Sequence, residues 1–211
     1  MIATYFYDAL NRRVRKVVGN ETRTFYFNNA WQCVEERIGS AVNQSYVWGL
    51  RYVDDLVCRN KNSERLYALQ DPNWNVVAIA DSSAAVQERY NYSAFGKLNL
   101  FDAAFNVRST STVGITRTFT GQVLDAETGL MLYRNRYYHT GLGRFITRDP
   151  IGYNAGDVNL MRYVGNMPTV MFDPYGKMSP QVAACLAGGI GSGITSGLWR
   201  NVPVTDVIFY F

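Results

Sequence analysis

Histidine is almost missing from this 211-residue chain, where His139 stands alone. A site built from several imidazoles is therefore excluded, and any histidine base would have to be that residue. Cysteine is scarce as well. Cys33, Cys58 and Cys185 are far apart, odd in number and free of any Cys-x-x-Cys spacing, which argues against structural zinc and against a disulfide framework. Neither sign of charge dominates: 21 Lys+Arg against 17 Asp+Glu leave +4, and the arginines are scattered, so nucleic acid is not indicated as a partner. Met1 to Asp8 show no basic stretch leading into an apolar one, so no secretory signal peptide is visible. No Gly-Lys-Ser/Thr occurs, so the glycine-rich tail is no phosphate loop. No metal and no cofactor are expected.

What is present is aromatic and glycine-rich. Charged residues are only 18% of the chain and hydrophobic ones 47%, too apolar a balance for a disordered polypeptide. Aromatics reach 14%, with 15 Tyr, and glycines number 18. Both biases favour short strands joined by turns.

A repeat gives those strands an order. Thr4-Tyr5-Phe6-Tyr7-Asp8 matches Thr24-Phe25-Tyr26-Phe27-Asn28 at an offset of 20 residues, and Arg89-Tyr90-Asn91-Tyr92-Ser93 is a looser third copy. In an extended chain Tyr5 and Tyr7 share one face and Phe6 takes the other. Asp8, Asn28 or Ser93 then caps a turn with its side chain. Val14–Val18 runs into the turn pair Gly19-Asn20. Further strand-like runs lie at 45–48, 55–58, 65–69 and 76–80, punctuated by Asn43, Asn60-Lys61-Asn62 and Asp71-Pro72-Asn73. The pattern predicts an all-β, antiparallel chain of hairpins. Residues 102–116, polar and rich in Ser and Thr, read as a loop. Thr118–Gln122 and Leu130–Tyr138 read as another hairpin around Asp125–Gly129. Asp149-Pro150-Ile151-Gly152 and Asp173-Pro174-Tyr175-Gly176 read as two tight turns 24 residues apart, with Asn159–Val164 a short helix or strand between them.

Residues 136–177 closely resemble the RHS repeat-associated core domain. The resemblance rests on Arg136-Tyr137-Tyr138, Gly143-Arg144-Phe145, Asp149-Pro150-Ile151-Gly152, Asn159-Leu160, Tyr163-Val164, Asn166, Pro168 and Asp173-Pro174-Tyr175-Gly176. The upstream units are similar to the YD repeats of the RHS/YD family, found also in teneurins and in the C components of insecticidal Tc toxins. The resemblance implies a hairpin sheet wound into a hollow spiral shell, plugged by the core domain, around a C-terminal polypeptide that is usually a toxin. It implies 1–135 as YD-repeat hairpins, 136–177 as the core and 178–211 as a variable tail. It also implies an aspartyl autoprotease, with Asp149 as catalytic aspartate, Arg136 as its essential arginine, Asp173 in support and Lys177–Met178 as the scissile bond. Two carboxylates serving one water and one amide agree with that chemistry, and a nearby arginine can hold a carboxylate ionised or stabilise an oxyanion.

The chain departs from the family in two ways. Lys177 stands where the family usually has an apolar residue, often Leu, and a charge in an apolar subsite costs several kcal/mol unless it is partnered. And 135 residues of hairpins cannot enclose a toxin-sized cargo, so a piece of a shell is expected, associating through open sheet edges with the rest of a shell or with another copy. A second function stays open: a non-catalytic structural module whose Tyr-rich faces bind carbohydrate or a cell surface. Met178 to Leu198 carry no charge, with Gly189, Gly193 and Gly197 spaced by four. That spacing permits a close-packed membrane helix, while Ser, Thr, Gln and Pro within it favour a tail packed on the sheet. His139 reads as a packing residue, and Arg51, Asp54 and Asp55 as a solvated turn. The resemblance suggests a secreted or cell-surface bacterial protein.

Overall fold

The computed structural model describes residues 2–177. The first eleven strands are β1 (Thr4–Tyr7), β2 (Arg13–Val18), β3 (Glu21–Phe27), β4 (Cys33–Ile38), β5 (Ala41–Trp48), β6 (Leu56–Lys61), β7 (Glu64–Gln70), β8 (Val76–Ala80), β9 (Val86–Tyr92), β10 (Leu98–Asp102) and β11 (Val107–Arg108). They form one antiparallel meander in which every strand pairs with its sequence neighbours.

Two turn chemistries serve this sheet. One is a tight turn that needs a left-handed backbone, supplied by Gly19 (φ 56°), Gly39 (φ 61°) and Asn62 (φ 52°). The other is a side-chain cap. Asp8 Oδ1 accepts the backbone N–H of Leu10 and Arg12, Asn28 Oδ1 those of Ala30 and Gln32, Asp71 Oδ1 those of Asn73 and Asn75, and Asp102 Oδ1 those of Ala104 and Asn106. Each cap replaces backbone partners that the turn would otherwise leave unpaired. A bulge precedes several of these turns, at Phe6/Tyr7, Tyr26/Phe27, Leu69/Gln70 and Ile79/Ala80, and bulges add twist.

The second sheet contains β12 (Val123–Asp125), β13 (Leu130–Tyr133), β14 (Arg136–His139) and β15 (Arg144–Phe145), again in sequence order. Strand pairing thus joins 123–133 to the core segment that follows. Two apolar clusters form the core, one on the first sheet and one centred on the second. Leu66, Val76, Ile79, Tyr90, Leu100 and Ile115 fill one; Phe119, Met131, Tyr133, Tyr138, Phe145, Tyr163, Val164 and Met171 fill the other. Tyr92 packs against both. Buried ion pairs stitch the sheets together: Arg13 with Asp125, and Arg134 with Asp54.

Four local expectations are corrected. Thr118–Gln122 is not a strand, because Phe119–Gly121 form a 3-10 turn. Thr120 and Gly121 take positive φ, and Thr120 N–H is drawn to Asn75 Oδ1 at 2.8 Å. Leu130–Tyr138 is two strands, broken at Arg134 (φ 43°) and Asn135. Residues 102–116 hold the short strand β11 as well as loop. Asn159–Tyr163 are neither helix nor named strand, although Val164 opens a 3-10 turn and Arg162 makes an isolated bridge with Arg144. The tail expectations for 178–211, helical or membrane-bound, fall outside the described residues. Among the described residues no helix is long and apolar enough to cross a membrane, and no group of His, Cys, Asp and Glu is placed to hold a metal.

Candidate functional site

The fold brings Arg136, Asp149 and Asp173 together. Arg136 opens β14, facing Tyr133 across the Arg134-Asn135 turn. Alternation then sends Arg136 and Tyr138 into the core and Tyr137 towards the first sheet. There the Tyr137 hydroxyl meets Tyr7 at 2.9 Å and accepts from Arg13 at 3.2 Å. The segment carrying Asp149 is held beside residues 160–161: Asp149 N–H donates to the Leu160 carbonyl at 2.8 Å and Phe145 N–H to that of Met161 at 2.9 Å.

Both aspartates reach Arg136 for one reason. Each begins an Asp-Pro turn and commits Oδ1 to that turn. Asp149 Oδ1 accepts Ile151 N–H at 3.0 Å; Asp173 Oδ1 accepts Tyr175 N–H at 3.3 Å and Lys177 N–H at 3.2 Å. Each Oδ2 then lies on the same guanidinium nitrogen, Arg136 Nη2, at 2.9 Å for Asp149 and 3.2 Å for Asp173. Nη1 donates to the Leu160 carbonyl at 3.1 Å, and the guanidinium carbon sits 3.5 Å above the Phe145 ring. All three residues are buried. Burial lowers the Arg136 pKa, and the charges of Asp173 and Asp149 oppose that shift. A cleft lined by Asp149, Leu160, Val164, Gly165 and the Asp157–Arg162 ion pair reaches Arg136.

Sequence reasoning missed the clamp on the neighbouring chain segment. The β13–β14 turn grips residues 174–176. Arg134 Nη1 donates to the Pro174 carbonyl, and Asn135 donates to the Tyr175 carbonyl through its backbone at 3.3 Å and its side chain at 2.9 Å. Gly176 (φ 64°) packs so closely on the turn that a Cβ would lie 2.5 Å from the Tyr133 carbonyl oxygen. Arg134 is itself aimed by Asp54, at 2.7 and 3.0 Å. The reading of Asp54 and Asp55 as a solvated turn is therefore wrong: both are buried, the first by Arg134 and Gln122, the second by Arg51. The Asp-Asp pair after Arg51 was the available signal, but its distant partner Arg134 was not visible.

Lys177 is exposed, so its ammonium stays in water rather than entering an apolar subsite. Met178 lies outside the described residues. His139 does not join the site; its Nδ1 accepts Leu142 N–H at 3.2 Å in the β14–β15 turn.

A family model described as Teneurin YD-shell matches residues 2–168. The tRNA3(Ser)-specific nuclease WapA of Bacillus spizizenii is 30% identical over 179 residues, covering 82% of this chain and 7% of that protein. Toxin protein Tse5 of Pseudomonas aeruginosa is 42% identical over 64 residues, 30% of this chain and 5% of that protein. A solved Tc holotoxin pore of Photorhabdus luminescens carrying a TccC3 mutation superposes with a TM-score of 0.65 at 21% identity, over 84% of this chain and 9% of that one. The chain thus spans less than a tenth of the length of these relatives, and the solved structure speaks for the fold alone.

Proposed function

The chain belongs to the teneurin YD-shell family, and on that premise we propose that it forms the closing end of a polypeptide-enclosing β-shell whose core cuts the chain after Lys177. The observation that carries this reading is the single guanidinium of Arg136 held by both Asp149 and Asp173, with the backbone of Lys177 tied to Asp173. The residue before the proposed cut is thereby anchored to the carboxylate pair.

On this reading each residue has a role. Asp149 takes a proton from a water that attacks the Lys177 carbonyl carbon. Arg136 faces the negative charge that develops on the carbonyl oxygen. The proton passes to the amide nitrogen of Met178, the C–N bond breaks, and an acid and an amine result. Asp173 is a positioning residue, since its Oδ1 holds the 175–177 turn. Exposure of Lys177 supports tolerance of a charge at that place. The relatives include proteins named as a nuclease and a toxin, and we extend to this chain only the idea of an enclosed polypeptide. Its shell partners would pair at the open edge of β1.

One observation favours a second reading. Both aspartates already cap their turns, so the cluster also works as a purely structural knot that holds a non-catalytic or surface-binding module together. Intact mass of the folded full chain separates the two. Self-cleavage gives 1–177 plus a 34-residue peptide, and Asp149→Asn stays whole. A folded wild type that remains at full length would refute the protease reading and leave the structural one.

A further inference from the structure

Among the described residues, one buried arginine has no carboxylate. Arg13, Arg59, Arg134 and Arg136 each form an ion pair. Arg117, only 9% exposed, forms none. Its Nη1 donates a long bond of 3.4 Å to the Gly121 carbonyl, and its Nε has no partner. Its guanidinium lies 4.6 Å from the Trp48 ring centroid and 5.7 Å from that of Tyr46. Stacking offsets part of the cost of burying the charge, yet it satisfies none of the in-plane N–H donors.

Arg117 and Arg134 both border a cavity of about 60 Å³ between the two sheets, walled by Phe25, Trp31, Tyr46, Val123 and Leu132. The other charges of the wall are engaged elsewhere. Arg13 is held by Asp125 on two oxygens. Glu36 is held by Arg23, Asn43 and Gln44. Arg134 has its terminal nitrogens on Asp54 and Pro174, but its Nε is also without a partner. Two guanidinium groups, each with one N–H unpaired, therefore border one cavity with aromatic walls. The space exceeds what one water occupies, and it matches a single planar or tetrahedral oxyanion. A guanidinium edge fits such a group with parallel hydrogen bonds, which strengthen where water is excluded.

We propose that this cavity is an oxyanion-binding site, with Arg117 as its principal ligand and the Arg134 guanidinium adding positive charge beside it. The group bound is a carboxylate or a phosphate. It arrives either as a free ion or as an acidic side chain of an enclosed polypeptide. The site stands whether or not the chain cleaves itself, since it shares no group with Asp149 or Arg136.

The test is titration calorimetry and thermal unfolding of the full chain with sodium phosphate, sodium acetate and a blocked glutamate, each against chloride at equal ionic strength. A saturable rise in Tm of a few degrees is expected, with at least about a tenfold loss of affinity in Arg117→Met. Tighter binding of blocked glutamate than of acetate and phosphate identifies a polypeptide carboxylate; a preference for phosphate identifies the free ion. A non-saturating response equal to that of chloride, or unchanged affinity in Arg117→Met, overturns the proposal. Should Arg117→Met not fold, Arg117→Lys keeps the charge and loses the fork; a several-fold weaker affinity is expected, and an unchanged one overturns the proposal.

Discussion

Glu88 shows how one side chain can dock a loop. It is fully buried and accepts hydrogen bonds from Tyr90 and Ser111 at 2.7 Å, and from Thr112 N–H at 2.5 Å. Burial by itself raises the carboxyl pKa, but the donors of Tyr90, Ser111 and Thr112 together outweigh it and hold the value below 4.5. A depressed folded pKa means that the stabilisation is complete above the unfolded value and fades as pH falls through the folded one. Urea unfolding should therefore weaken below about pH 4.5, and Glu88→Gln should flatten that part of the profile while lowering stability at neutral pH. A second residue prediction concerns Gly176. Its left-handed backbone costs a side chain about 1–2 kcal/mol, and the Tyr133 carbonyl blocks a Cβ. Gly176→Ala should lower Tm and, on the protease reading, slow self-cleavage by at least about tenfold by lifting residues 174–177 from the Arg134-Asn135 turn. Intact-mass time courses measure the second effect. Arg136, Asp149 and Asp173 were legible as candidates because motif order survives in sequence. Arg134, Asn135 and Asp54 were not, because their contacts cross 40 to 80 residues.

At the scale of the element, turn chemistry decides where strands end. The side-chain caps at Asp8, Asn28 and Asp102 put the fourth residue of each turn in the left-handed region: Asn11, Trp31 and Phe105, with Trp74 and Ala84 in the equivalent turns. The caps were readable from composition, but the strained fourth residue was not, since Trp and Phe carry no local preference for it. Ala84 is exposed with φ 65°. Ala84→Gly should relieve strain by more than the added chain entropy and raise stability by about 0.5–1 kcal/mol. Gly19→Ala, where nothing obstructs a Cβ, should cost about 1 kcal/mol from backbone strain alone. Denaturant midpoints of the two variants should move in opposite directions.

For the whole molecule, what matters is how the second sheet is fastened to the first. Arg13 and Asp125 meet with both side chains almost fully buried, and Lys16 adds a bond to Asp125 at 3.3 Å. Removing one member of such a pair strands the other charge. Asp125→Asn should therefore cost about 3–5 kcal/mol, read as a lower urea midpoint. If the sheets unfold separately, the single transition should also split. Asp54 fastens the other end through Arg134, and the 174–176 segment hangs from that arginine. Asp54→Asn should consequently lower stability and also impair any reaction at Lys177, a coupling absent from Asp125→Asn.

The amino-acid sequence alone determined the all-β hairpin chain, because alternation and capped turns act between neighbours a few residues apart. It also determined the two Asp-Pro turns, whose Oδ1 caps form locally. Only the tertiary structure decided that both aspartates converge on one nitrogen of Arg136, that Leu130–Tyr138 breaks at Arg134, and that Arg117 meets no carboxylate among the described residues. Each of these depends on groups far apart in sequence meeting in the folded chain, where burial makes pairing or its lack matter, and no local pattern records which distant partner a buried charge will meet.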